Sequence, residues 1–488
     1  MDDSCHNLFS DQQVIDAEQA RLRARRGLSD SEAVKDVVGL ALSGGGVRSA
    51  TFNLGLLQAM QRHQVLSQVD YLSTVSGGGY IGSSYTWLAA QSNGEFPFGT
   101  RREDHAKSGG RILDWIRLHG SYLTPGSGLD GFALMAAVLR GVFVNLVVVV
   151  PFFLLFMWTL LQFDLFGVIL SVAGVLAAVL LAVWLIHALY SGQIFNNAFE
   201  LRRKMDCYAS VIARLIIAGI VLGSLPTMHQ LAADWITTAF STVGLTGLIS
   251  MFFGWWSRNN NNERAGKSGW TLRIGLILLL YGILLGAYDF VWRYLYEDLY
   301  TVAFGLMELL AFGAVGNWAL TLVSAALLLS VLIGLLGNIN HVSMHRYYRD
   351  RLLEAYMMRP ESPVTDNKKV DADRFYLRDI PQTSAPYHII NTNMNTIASA
   401  DAKLRIRGGD NFIFSPLFCG SRVTGYAANA DRVCNGKKIN GYLGGTMDLA
   451  TAFTISGAAV DPNTGVTRSR PLAFLMCLLN VRLGYWIR

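Results

Sequence analysis

The chain has 488 residues, of which 52% are hydrophobic and only 16% charged, and its formal net charge is +6. A charged share so far below the roughly 25% of ordinary soluble proteins, with a mean hydropathy of +0.32, excludes a wholly water-soluble chain and places part of it in lipid. Basic loops beside a membrane account for the positive charge, so no nucleic-acid partner is implied.

Residues 1–36 form a polar N-terminal segment with RLRARR at 21–26 and no apolar signal-peptide core. The expectation is a solvated helix near the membrane surface and no cleavable signal. From Val37 the pattern changes. An apolar run to Leu42 ends in Gly44, Gly45 and Gly46, and Phe52, Leu54, Leu56, Leu57 and Met60 then recur at helical spacing. A second apolar run, Tyr71–Val75, breaks on Ser76-Gly77-Gly78-Gly79 and opens another helix. This reads as strand, glycine turn, helix, strand, sharp turn, helix.

Both turns carry chemistry. Glycines after a strand let successive N–H groups face one point, where a helix N-terminus adds partial positive charge. Such a nest holds phosphate or the oxyanion of a tetrahedral intermediate. Ser76, on a tight strand-to-helix turn between small residues, resembles a nucleophile elbow. Together, Gly44-Gly45-Gly46-Val47-Arg48-Ser49 and Thr74-Val75-Ser76-Gly77-Gly78, about thirty residues apart, resemble the patatin-like phospholipase family of serine acyl hydrolases.

The resemblance implies an α/β fold: a three-layer domain with a parallel central sheet, interrupted by an inserted α-helical transmembrane bundle. It implies Ser76 as nucleophile and Gly44, Gly45, Gly46 and Gly77 as the oxyanion hole; Arg48 is placed to orient the loop or to meet a lipid phosphate, with a salt bridge to a nearby acid as the plain alternative. The partners implied are a membrane phospholipid substrate and the bilayer, and no cofactor is called for. One position departs from the family pattern: Thr74 stands where the elbow has its first glycine, which requires room on the facing helix.

Residues 37–135 are thus the N-terminal part of the hydrolase domain, with a helix expected at Gly110–His119. Residues 136–338 read as about six transmembrane helices, over 142–161, 165–189, 209–226, 236–256, 274–291 and 318–336, each near the length that crosses a bilayer. The apolar stretch 301–316, with Glu308, is a seventh span or an interfacial helix. Arg202, Arg203 and Lys204 in one loop and Arg258, Arg264, Lys267 and Arg273 in another place those loops in the cytoplasm. Six spans then return the chain to the same side and leave the hydrolase domain cytoplasmic, in what reads as a bacterial inner membrane. Gly282 and Gly286 form a GxxxG pair suited to helix packing within the chain or between copies. Asp289 and Glu308 are the main acids near membrane depth, and both lie close to the expected interfaces. Asn259–Asn262 is a polar loop run without nameable chemistry.

Residues 339–488 are expected to complete the domain, with 339–386 charged and loop-like, strands at Tyr387–Asn393 and Phe412–Phe418, a helix at Gly444–Ala459 and an apolar segment at Leu472–Ile487. The five cysteines, without metal-ligand spacing, read as free thiols in a reducing compartment. Nine scattered histidines show no metal-site spacing either, so no metal is assigned. The resemblance calls for a late Asp-Gly turn to complete a Ser–Asp dyad. Asp130-Gly131 precedes the first span and reads as a loop turn, and Asp461 reads as a turn residue. The apolar end at Trp486-Ile487-Arg488 leads us to expect the dyad acid beyond Arg488, and no base is assigned. Two other readings stay open: an inactive family member that binds lipid or a partner, and a six-helix transporter with a regulatory soluble part.

Overall fold

The structure, a computed structural model, describes residues 8–92, 94–100, 108–120, 128–190, 199–231, 265–295, 318–357, 372–382, 385–397, 399–434, 437–461 and 470–487. The chain divides into two compact units, one of Met1–Phe143 with Asn338–Arg488 and the other of Val144–Gly337. In chain order the described elements are α1 (Asp11–Arg26), β1 (Gly39–Leu42), α2 (Gly46–Arg62), β2 (Tyr71–Thr74), α3 (Gly77–Gln91), α4 (Ser108–Leu118), α5 (Gly128–Gln162), α6 (Leu165–Tyr190), α7 (Phe199–Gly223) and α8 (Leu225–Leu231). They continue with α9 (Ala265–Tyr294), α10 (Trp318–Leu336), α11 (Ile339–Val342), α12 (Met344–Tyr356), β3 (Tyr387–Asn395), α13 (Ala402–Arg407), β4 (Gly409–Phe414), β5 (Phe418–Ser421), β6 (Gly425–Ala428), β7 (Arg432–Cys434), β8 (Lys437–Ile439), α14 (Leu449–Gly457) and α15 (Arg470–Leu478).

In the first unit a six-stranded sheet has the order β1-β2-β3-β4-β5-β6. Strands β1, β2 and β3 are parallel, with Gly39 beside Tyr71 and Tyr71 beside Tyr387. The rest is antiparallel, β3 to β4, β4 to β5 and β5 to β6. The sheet is therefore mixed, which corrects the expectation of a parallel one. The expected strand Phe412–Phe418 is in fact a tight hairpin. Pro416 has no N–H to give a ladder, and Ser415 closes the turn, its hydroxyl donating to the Phe418 carbonyl at 2.8 Å.

Alternation along the strands sorts the two faces. Leu72, Thr74 and His388 point towards α3, while Tyr71 and Tyr387 point to the opposite face, which α1 covers. Helix α1 starts on a capping box between Ser10 and Gln13 and stops at Gly27, whose φ is 66°. Its basic run is not the solvated face expected from sequence. Arg21 donates to the carbonyl of Ile380 at 2.8 Å, Arg25 to Val69 at 2.6 Å, and Arg26 forms an ion pair with Asp70 at 2.5 Å. Tyr71 donates to Glu18 at 3.2 Å, and burial pushes that carboxyl above its usual range.

The stretch expected to be loop after residue 339 contains α12. Tyr348, Leu352, Leu353 and Tyr356 give it one buried face. Arg349, only 2% exposed, donates to Asp448 and to the Thr451 hydroxyl, both at 2.8 Å, and pairs with Asp373. Asp448 also caps α14, accepting from the Thr451 N–H at 2.7 Å. A buried guanidinium thus ties α12 to the first turn of α14.

Four helices are long and apolar enough to cross a membrane by length and composition: Phe132–Gln162, which begins in the first unit, and Leu165–Leu189, Arg203–Leu231 and Ile277–Tyr294 in the second. Between 11% and 22% of each apolar window is buried, so most of that apolar surface faces outward. Leu322–Leu336 is shorter. The expected span at 236–256, the 301–316 stretch with Glu308, and Asn259–Asn262 lie outside the described residues. Close packing of α6 on α7 uses Gly219 and Gly223, a GxxxG pair the sequence reading passed over: a Cβ at these positions would come within 2.8 Å of Ala173 and Leu170. Asp289 accepts from Arg293 at 2.7 Å and pairs with His229 at 2.9 Å, joining α8 to α9.

Replacing Arg349 with Met leaves the carboxylates of Asp448 and Asp373 without their shared cation. We expect a loss of about 3–5 kcal/mol, read as a lowered denaturation midpoint of the detergent-solubilised chain.

Candidate active site

Strand β2 ends at Thr74, and two residues later the chain turns into α3. Ser76 caps that helix with φ 51° and ψ −121°. A non-glycine residue there stores roughly 1–3 kcal/mol of strain and persists only when its surroundings fix it. The turn leaves Ser76 partly exposed at the carboxyl end of the parallel strands.

Facing it is the loop after β1. Gly45 has φ 146° and Gly46 φ 63°, and Gly46 opens α2. Side chains on α2 brace the loop: Ser49 donates to the Ser43 carbonyl at 2.5 Å, and the Asn53 amide donates to the same oxygen at 3.3 Å and to the Ser49 hydroxyl at 3.0 Å. Asn53 was missed in the sequence. Its signal there was a lone amide one turn after Ser49, next to Leu54 on a face that is otherwise buried.

The two turns touch. A Cβ on Gly77 would fall on the Gly46 carbonyl oxygen, and one on Gly78 on the Leu42 carbonyl. A Cβ on Gly44 would lie 3.1 Å from Ser76 Cβ and 3.7 Å from its Oγ. The structure therefore brings Gly44, Gly45, Gly46, Ser76 and Gly77 together. Two helix N-termini, of α2 and α3, adjoin the Ser76 hydroxyl and add partial positive charge there. Among the described residues no hydrogen bond takes up the N–H groups of Gly45, Gly46 or Gly77. The arrangement can hold negative charge developing beside Ser76.

The room that Thr74 requires is supplied by Gly82 on α3. A Cβ at Gly82 would lie 2.6 Å from the Thr74 methyl. The Thr74 hydroxyl is 2.9 Å from His388 Nε2, and His388 Nδ1 is 3.0 Å from the Thr86 hydroxyl. Complete burial pushes the His388 pKa down to about 3, so the ring is neutral. With both nitrogens engaged, His388 holds β3, β2 and α3 together and cannot act as a base towards Ser76. Sequence reasoning missed it because it is one of nine scattered histidines.

Arg48 is exposed on the first turn of α2, and among the described residues no carboxylate pairs with it. Asp130 lies in the first turn of α5, a correction to the loop turn expected for Asp130-Gly131. Asp461 approaches the backbone at Gly484. Among the described residues no side chain hydrogen-bonds the Ser76 hydroxyl.

Two outcomes test this packing. Gly82→Ala forces its methyl into Thr74 and is expected to cost about 1–3 kcal/mol, read as a lower thermal midpoint, with Gly82→Ala/Thr74→Gly recovering most of it. Acid stability carries the signature of His388. Between pH 6.5 and about 3 the unfolded chain binds a proton that the folded ring refuses, so stability is full above pH 6.5 and falls as the pH drops. The slope is about 1.4 kcal/mol per pH unit for one such group. His345, pushed down to about 4 by burial, adds a parallel contribution. His388→Gln should flatten the acid limb of the stability profile by one group's slope while lowering stability near pH 8.

Residues 40–203, about a third of the chain, match the family model described as patatin-like phospholipase. No curated protein and no solved structure matches the chain. At the level of the family the match supports lipid acyl hydrolysis. The segment that builds the Ser76 turn and its facing glycine loop is therefore a patatin-like phospholipase domain.

Proposed function

We propose that the protein is a membrane-anchored serine acyl hydrolase that cleaves fatty-acyl esters of phospholipids or related lipids through an acyl-Ser76 intermediate. One observation carries the reading: a serine in a strained strand-to-helix turn, pressed against a glycine loop whose N–H groups at Gly45 and Gly46 are taken up by none of the described residues. The Ser76 oxygen attacks the ester carbonyl carbon as its proton passes to a base. The N–H groups of Gly45, Gly46 and Gly77 hold the oxyanion, each donor contributing about 10²–10³ in rate. The C–O bond to the alcohol breaks, and the alcohol leaves with a proton. Water then attacks the acyl-serine and releases the fatty acid.

The four apolar helices support anchoring in a bilayer. Arg202, Arg203 and Lys204 near the start of α7 support placing the domain on the cytoplasmic side, where inner-leaflet lipid is the substrate. Exposed Arg48, beside the glycine loop, is suited to a lipid phosphate.

Ser76→Ala should abolish ester cleavage and labelling by a serine-directed fluorophosphonate, with thermal midpoint and membrane insertion unchanged. Activity retained by that variant would sink the hydrolase reading. An unlabelled Ser76 in the wild-type chain would favour an inactive, lipid-binding member instead.

A further inference from the structure

The strained conformation of Ser76 is held from outside its own turn. Its N–H donates at 2.9 Å to the hydroxyl of Ser456, near the carboxyl end of α14. That hydroxyl donates at 2.6 Å to the Asn391 carbonyl on β3. The Asn391 side-chain amide donates at 3.1 Å to the Thr74 carbonyl and at 2.8 Å to the Ser73 hydroxyl. These bonds form a closed circuit from β2 through β3 and α14 to the turn. Every link in it is a group with a defined donor and acceptor.

Helix α14 is itself fixed at both ends. Arg349 and the Asp448 cap hold its first turn. At its last turn the Tyr348 hydroxyl donates to the Gly457 carbonyl at 3.2 Å and shares a hydrogen bond with Tyr80 of α3. The Ser456 hydroxyl is therefore presented at a set place, on the same helix pair that carries Ser76.

We propose that Ser456 is a positioning residue for the nucleophile, acting through the Ser76 N–H. By accepting that N–H it commits the amide of Ser76 away from the reacting carbonyl, leaving the oxyanion to Gly45, Gly46 and Gly77. It also holds the φ of Ser76 in the left-handed region, so that Oγ stands against the glycine loop. Without it the amide turns to find another acceptor, and the hydroxyl moves with it. This inference rests on Ser76 being the nucleophile.

The test is hydrolysis of a p-nitrophenyl ester by the full chain in detergent micelles. It compares Ser456→Ala, the near-isosteric Ser456→Cys, whose thiol is a poor acceptor, and Ser456→Thr, which keeps the hydroxyl. Misplacing a reacting group by about 1 Å costs about 100-fold. We expect kcat to fall roughly 10–100-fold in Ser456→Ala and Ser456→Cys with KM unchanged and the thermal midpoint of Ser456→Cys close to wild type, while Ser456→Thr keeps most of the activity. A wild-type kcat in Ser456→Cys, a loss carried by KM, or equal impairment of the Ala and Thr variants would overturn it. Ser76→Ala runs alongside. Activity that survives it overturns the hydrolase reading and this inference together, whereas activity that needs Ser76 but ignores Ser456 overturns this inference alone.

Discussion

The site depends on one contact between backbones. The first turn of α3 lies directly on the loop after β1, so close that neither Gly77 nor Gly78 could carry a side chain. Any Cβ there would push α3 off β1 and separate Ser76 from the N–H groups of Gly45 and Gly46. The glycines on the two sides differ in purpose. Gly45 and Gly46 turn the chain with positive φ, whereas Gly77 and Gly78 are ordinary helical residues that are small because the carbonyls of Gly46 and Leu42 occupy the space. At this buried helix start the Gly78 N–H is satisfied by the Val75 carbonyl at 3.0 Å, whereas no described residue takes up the Gly77 N–H, and that open donor adds to the electrostatic character of the site.

A contact this tight needs support from behind, and three helices provide it. Helix α3 is buried along nearly its whole length, with Tyr80 packed against Tyr356 of α12 and Phe453 of α14. Behind the strands, neutral His388 joins β3 to both β2 and α3, and Gly82 gives Thr74 its place. Polar groups are thus numerous beside the elbow, and Thr74, His388, Asn391 and Ser456 are paired inside the fold. The groups next to the glycine loop are the ones left open to a ligand.

Much of this was legible in the sequence because its causes are local. Three glycines after an apolar run, and Ser-Gly-Gly-Gly after another, reflect backbone needs that no other residue meets, so both turns and their helices could be placed. The strand expected at Tyr387–Asn393 was legible as a strand-like run, and it extends to Asn395. What could not be read depends on partners far away in the chain. RLRARR looks like a solvated basic face until Val69, Asp70 and Ile380 are seen to supply its acceptors. HVSMHRYYRDRL looks like a charged loop because Arg349 is buried against acids about 24 and 99 residues away. Ser456, Asn391 and His388 belong to types too common to stand out, and only the fold gives them a common neighbour. Strand direction was likewise invisible: nothing in GDNFIFSPLF marks it as antiparallel except Pro416, which marks the turn alone.

The register of β2 with β3 bears on how the protein is made. Thr74 and His388, hydrogen-bonded across neighbouring strands, lie 314 residues apart in the chain. At a synthesis rate of about 5–20 residues per second, β2 and its glycine turn leave the ribosome some 15–60 seconds before the strand that completes them. Throughout that interval the chain between them, with its apolar helices, is being made, and one edge of β2 is open to any passing strand. The elbow cannot acquire its strained geometry until β3 and α14 arrive. Biogenesis itself therefore keeps Ser76 out of that geometry until the whole intervening stretch has been synthesised.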